Sequence, residues 1–221
     1  MKFPITLVVL FSLSLLSVSA AYAISESSDE RKALSAKNIV FLGINFSGLK
    51  LLNEEGFIGQ NGSSKCDALQ FKYFEGWNEV FLIEKDKFNL NDLFIIDSYS
   101  LFMDPTINFN KNIIVDNCII DDLDYRVSDI MKQQIIDQYI GLVDAEVCVL
   151  MIGESLSKKL GKGSYTIIYF DPADGKILLS NRYEENPSGY GFDNYWVNSI
   201  HNSLQSHEKY VKKMRKAYKI K

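Results

Sequence analysis

The hydrophobic positions of this chain fall into unbroken apolar runs and into helical stripes, and the two are cleanly separated. The first run, Ile5–Val18, follows a single base, Lys2. Ile39–Ile44 is short and rich in β-branched residues, which predicts a buried strand closed by Asn45-Phe46-Ser47-Gly48. Gly56–Ser64 carries three glycines and reads as a loop. From Asp67 to Glu84, Phe74, Trp77 and Phe81 recur at three- and four-residue steps with Val80 beside them, the apolar face of a helix. Leu93–Ile96 fits a short helix or a short strand equally well. Ser98–Phe102 predicts a strand ended by Asp104-Pro105, and Ile113–Val115 a weaker one.

The second half is more sharply patterned. Ser128 is placed to cap a helix on which Val127, Met131, Ile135 and Tyr139 recur every four residues, with Gly141 ending it. Val147–Ile152 is continuously apolar and predicts a central strand. Tyr165–Phe170 and Lys176–Ser180 flank Asp171-Pro172-Ala173-Asp174-Gly175, where Pro172 pre-sets the first turn position and Gly175 supplies a positive φ. So short a connection allows only an antiparallel hairpin. After the loop Asn186–Gly191, Phe192, Trp196, Ile200 and Leu204 mark a long C-terminal helix continued by Val211, Met214 and Tyr218. The elements together predict an α+β single domain: a mixed, mostly antiparallel sheet of about five strands packed by two or three helices.

Composition changes the picture mainly at the N-terminus. The chain has 221 residues, 47% hydrophobic and 24% charged, with 14 Phe and 12 Tyr, too apolar and aromatic for a disordered protein. Residues 1–23 read as a signal peptide: one base, an apolar core too short to span a bilayer, and the small-x-small pattern Ala21-Tyr22-Ala23, placing cleavage between Ala23 and Ile24. Val18-Ser19-Ala20 is a second candidate cut, and an uncleaved anchor is the alternative. No Cys stands near the cut to accept a lipid. Residues 24–36 are expected to be a flexible lead-in and 37–221 a single globular domain. The mature product is expected to be exported, periplasmic or secreted, with no transmembrane span.

Charge narrows the partners. Removing Lys2 from 24 bases leaves 23 against 28 acids, so the mature chain is acidic and nucleic acid is not an expected partner. The exception is the end: Lys209–Lys221 holds seven bases and no acid. Lys212, Lys213, Arg215 and Lys216 are the candidates there for peripheral contact with an anionic surface, against the plainer role of complementing a helix dipole.

Chemistry-bearing residues are sparse. Cys66, Cys118 and Cys148 allow three pairings or none; two of them sit in apolar runs and read more readily as small buried hydrophobes than as a bridge. His201 and His207 are six residues apart on one helix, about 120° around its axis, and cannot readily share a metal. Asp121, Asp122 and Asp124 lack the spacing and glycine of a calcium loop and read as solvated acids ahead of the Ser128 helix. Lys158–Gly163 resembles a phosphate loop only in composition, and no helix follows it. Asn45-Phe46-Ser47 and Asn61-Gly62-Ser63 match the glycosylation triplet. Gly189-Tyr190-Gly191 ahead of a helix offers free amides, but its plainer role is a tight turn that lets Tyr195 and Trp196 dock on the sheet. No cofactor, catalytic or metal-site residue is assigned.

Three features carry a resemblance: the strand end Glu154-Ser155-Leu156-x-Lys158, the hairpin with an Asp at its turn, and Gly189-x-Gly191-x-x-Asn194-Tyr195-Trp196. Over residues 40 to 205 the chain resembles a family of uncharacterised exported bacterial proteins, a domain of unknown function. The resemblance implies an exported α/β domain and no activity. Asp193 stands where that family is associated with a base, which weighs against anion binding at the turn.

The functional expectation is a non-enzymatic binding or envelope-associated module whose partner is a protein or envelope component, with Tyr190 and Asn194 as further candidate contacts. The competing readings are an exported hydrolase with a site assembled only in three dimensions, supported if His201 or His207 meets a carboxylate or Cys66 in a pocket, and a carrier of a small apolar ligand.

Overall fold

Side chains alternate across a strand, so a strand buried on both faces divides its apolar residues between two layers. β5 (Cys148–Ser157) does this throughout its length. Its Val149 and Met151, with Val147 just before it, face one apolar layer, and Cys148, Leu150 and Ile152 face the other. The computed structural model describes residues 28–53, 57, 66–113 and 117–220. Among them the strands are β1 (Asn38–Asn45), β2 (Lys50–Leu52), β3 (Ser98–Leu101), β4 (Ile119–Ile120), β5, β6 (Lys162–Phe170) and β7 (Ile177–Glu185). The helices are α1 (28–35), α2 (Cys66–Ala68), α3 (Phe74–Ile83), α4 (Leu90–Phe94), α5 (Asp104–Lys111), α6 (Asp129–Asp137) and α7 (Phe192–Tyr218), with a π-helical segment Leu69–Tyr73 between α2 and α3.

The strands form one seven-stranded sheet. β6 takes one edge of β5 over its whole length, so β1 and β2 share the other edge end to end, β1 against Cys148–Ile152 and β2 against Ser155–Leu156. β3 then lies outside β1 and β4 outside β2. All four of these pairings are parallel; β5–β6 and β6–β7 are antiparallel. The expected mostly antiparallel sheet is therefore wrong: the fold is α/β, with a parallel core and an antiparallel flank. The hairpin logic held for neighbours in sequence, but the strands Ile39–Ile44 and Val147–Ile152 are joined through helices, the connection that parallel pairing requires. Their unbroken apolar runs, buried on both faces, are the pattern of a parallel central strand.

Several elements match their patterns. The hairpin forms as expected: Gly175 has φ +74°, its amide donates to the Asp171 carbonyl, and a register shift at Tyr169/Phe170 absorbs the extra residue. Ser128 accepts the Met131 amide and caps α6. The strand expected over Ser98–Phe102 forms as β3, and Asp104-Pro105 after it also begins α5, with Pro in the first helical positions where its missing N–H is harmless. Leu93–Ile96 resolves as the end of α4, terminated by Ile95 in the left-handed region. The expected strand Ile113–Val115 lies largely outside the described residues. So do the leader 1–23 and the start of the lead-in; from residue 28 the lead-in is helical, and Ala33, Leu34 and Ala36 are buried.

Two helix layers cover the sheet. α1, α3, α4 and α7 contribute to the larger apolar layer, which holds Phe41, Trp77, Phe94, Trp196 and Leu204; α6 closes the other with Ile135 and Ile136, joined by Tyr139 just beyond its end. The thiols divide in the same way. Cys66 and Cys118 are joined by a disulfide across 52 residues, correcting the reading of Cys118 as a small hydrophobe alone. Cys148 is free and buried.

Candidate functional site

Two buried asparagines, which the apolar patterns gave no reason to single out, hold the place where β1 breaks off. Asn78 of α3 accepts the Ile44 amide and donates to the Ile44 carbonyl; Asn110 of α5 accepts the Phe46 amide and donates to the same carbonyl. Buried backbone groups left by an interrupted ladder need such partners. Gly43, at φ +87°, gives Asn78 its room: a Cβ there would stand 2.4 Å from the Asn78 Oδ1. Asn45 is fully buried and donates to the Tyr139 hydroxyl, so its triplet offers no accessible glycosylation site in the folded chain. Asn61 lies outside the described residues.

The buried chemistry clusters under β7. His207 of α7 is fully buried, with the Tyr169 hydroxyl 2.8 Å from Nε2 and the Tyr183 hydroxyl 2.9 Å from Nδ1. A neutral imidazole carries one donor and one acceptor nitrogen, so both ring positions are used. Burial pushes its pKa down to about 3, and burial raises those of Tyr169 and Tyr183. Phe94 packs on the ring edge-on and Tyr210 stacks beside it. No carboxylate bonds to this imidazole among the described residues. His201, half-buried, packs edge-on against Phe88, and burial, then the charge of Lys87, lower its pKa. Among the described residues neither histidine meets the carboxylate or Cys66 that a hydrolase would need; Cys66 is bridged to Cys118.

A second cluster sits on the opposite face. Glu154 is the extra residue of a register shift in β5 and is fully buried. Its carboxylate accepts from Arg182 Nε at 2.6 Å and from the Thr166 hydroxyl at 2.5 Å; Arg182 continues to Glu184. Within the resemblance, Glu154 was one letter of a strand-end motif; here it is half of a buried ion pair. Cys148 is equally closed off, its thiol raised to about 12 by burial first and then by Asp171.

The sequence candidates do not converge. Tyr190 is 95% exposed at the turn between β7 and α7, beside Asn194, whose amide reaches the Tyr190 carbonyl at 3.4 Å. Lys158, Tyr190, Phe192 and Tyr195 border a shallow depression of about 510 Å³, with the Lys158 ammonium 5.7 Å from the Phe192 ring centre. The basic residues lie at the other end of α7: eighteen residues from Asn194 to Lys212 span about 27 Å. Lys212, Lys213 and Lys216 are exposed, and Lys212 pairs with Glu208. Arg215 is not part of that surface. It is 8% exposed and donates to the Leu34 and Ile95 carbonyls, tying α1 and α4 to α7.

Another concavity lies elsewhere. A groove of about 560 Å³ runs along Ile177–Asn181 of β7, walled by Asp29 and Glu30 of α1, Tyr210 of α7, and Asp129 and Lys132 of α6. Nothing in the sequence placed residues 29, 129, 180 and 210 side by side. No group of acidic, histidine or cysteine side chains suited to a metal occurs among the described residues, and no helix there is long and apolar enough to cross a membrane.

No family model matches the chain, and no curated protein does. Solved structures similar to it include lipoprotein GNA1162 from Neisseria meningitidis, at 12% identity over 76% of this chain and 96% of that one, TM-score 0.30. The hypothetical protein CT253 from Chlamydia trachomatis aligns at 11% identity over 83% and 97%, TM-score 0.36. The LpoB C-terminal domain from Salmonella enterica aligns at 10% identity over 73% and 95%, TM-score 0.29.

Proposed function

We propose that this chain is an exported, non-enzymatic module that binds a protein or envelope component. The observation carrying this reading is where its reactive groups go. His207 is enclosed by two tyrosines, Glu154 by Arg182 and Thr166, and Cys148 by the core, so each is spent on internal structure. Among the concave surfaces open to solvent is a strand edge between helix layers, suited to recognition. Two features support export: the leader pattern of residues 1–23, and a long-range disulfide, a bond that persists in oxidising compartments.

The test is expression of the full chain in an exporting bacterium, with a photo-crosslinking residue at Ser180 in one variant and at Tyr190 in another. The reading expects a mature N-terminus at Ile24 and a reproducible crosslinked species from at least one position. A chain that keeps its leader in the cytoplasm, or no crosslink from either position, overturns it.

A further inference from the structure

The sheet ends in a strand whose outer edge is set back between the two helix layers. β7 pairs with β6 and with no other strand among the described residues. α1 and α7 cover one face of the sheet and α6 the other. Side chains from both layers reach past Ile177–Asn181 and make the groove walls. An edge strand presents a row of backbone donors and acceptors, and the partner that matches such a row is another extended backbone.

Resting on the binding-module reading, we propose that this groove takes an extended basic peptide segment of a partner protein, added as a further strand along Ile177–Asn181. Five residues of strand run about 17 Å, enough to fix a register. The recess argues for a lone peptide and against a second copy of this chain. A second copy would bring its own α1 and α6 walls, with the same acids, against these.

The charge of the walls sets the peptide's chemistry. Asp29, Glu30 and Asp129 stand in the walls with Lys132. Lys132 is already paired with Asp129, and Asp29 with Lys176. Glu30 has no ion pair among the described residues: its carboxylate accepts the hydroxyls of Tyr210 and Tyr218, neutral donors that bring no counter-charge. A Lys or Arg on the incoming strand, pointing to the α1 side, meets that carboxylate, and an acidic side chain is repelled. Alternate side chains of the peptide then face α1 and α6 in turn, so a base is wanted at every second position.

Random nine-residue peptides displayed on phage, panned against the exported chain, test this. The expected winners carry Lys or Arg at alternate positions and no central Pro. They bind at least tenfold tighter than their Lys→Glu counterparts, and slow hydrogen exchange of the Ile177–Asn181 amides at least tenfold. Ser180→Trp, at an exposed groove position, weakens them at least tenfold, and Glu30→Gln removes the preference for basic over acidic peptides even if the first variant proves unstable. No enrichment, unprotected β7 amides, or equal binding of acidic and basic peptides overturns the proposal. If a partner still crosslinks through Tyr190, strand addition has failed and the binding-module reading stands; if both positions stay silent, both fall.

Discussion

The Tyr183 hydroxyl lies 2.9 Å from Nδ1 of His207, joining the edge strand of the sheet to a fully buried residue of the long helix. With Tyr169 on Nε2, the ring is fully bonded while neutral. Burial therefore weakens it as a base and makes it a point at which the fold responds to acid.

The His207 pKa falls from 6.5 in the unfolded chain to about 3 in the folded one. Above 6.5 both states hold a neutral ring and the group has no effect. Below 6.5 the unfolded chain takes up a proton that the folded one refuses, so stability falls by about 1.4 kcal/mol per pH unit until about pH 3. The tyrosines packed around it, Tyr169 and Tyr183 from the sheet and Tyr210 from α7, have their pKa values raised by burial and keep their protons in that window. Urea unfolding of wild type and His207→Gln from pH 7 to 4.5 is the check: the wild type should show the steeper decline, and parallel curves would contradict it.

Trp196 is fully buried among Phe57, Phe192 and Tyr195, as the four-residue spacing of the last helix requires. Trp196→Ala should cost about 3–5 kcal/mol. Tyr190→Ala, six residues away and exposed, should leave the melting temperature within a degree or two of wild type. Thermal melts of the two variants decide it.

Thiol counting separates the three cysteines. An aromatic disulfide reagent should find no reactive thiol in the native protein, one after unfolding without reductant, and three after reduction, because Cys66 and Cys118 are bonded and Cys148 is buried. Cys66→Ser/Cys118→Ser together should lower stability by about 2–4 kcal/mol.

Arg182→Met should leave the buried Glu154 carboxyl without its cation in the sheet, at a cost of about 3–5 kcal/mol. Adding Glu154→Leu should recover most of that loss, since an apolar pair removes the desolvated charge altogether. Chemical denaturation of the single and double variants measures the coupling; additive losses would show that the two side chains do not act as a pair.

Gly43→Ala should destabilise by at least about 1–2 kcal/mol from the positive φ alone. The contact with Asn78 Oδ1 adds to that. Pairing it with Asn78→Ala tests the steric part. Relief of the clash should make the double variant less costly than the sum of the two singles.

Patterns within a few residues settled a great deal. The Asp171–Gly175 turn forces an antiparallel hairpin because five residues cannot carry a crossover, Ser128 announces the start of α6, and the Phe192–Leu204 stripe gives a buried face that needs no partner to be recognised. The candidate surface was far less legible. Arg215 and Lys212 look alike in sequence, yet one is buried against backbone carbonyls and the other is exposed. Their positions around α7 differ, and only the docking of α1 and α4 decides which side is inward.

Local sequence by itself determined strands β1, β3, β5, β6 and β7, the long helix, the hairpin and the expectation of a leader, because each rests on periodicity or on the conformational limits of Pro and Gly; the short β2 and β4 carried no such pattern. Tertiary structure alone decided that β1 and β5 run parallel, that Cys66 meets Cys118, and that residues of α1, α6 and α7 wall the edge of β7. An apolar run buried on both faces satisfies its hydrophobic demand in either direction. Its pairing is fixed by the path of the helices between strands, over a hundred residues that no local pattern spans.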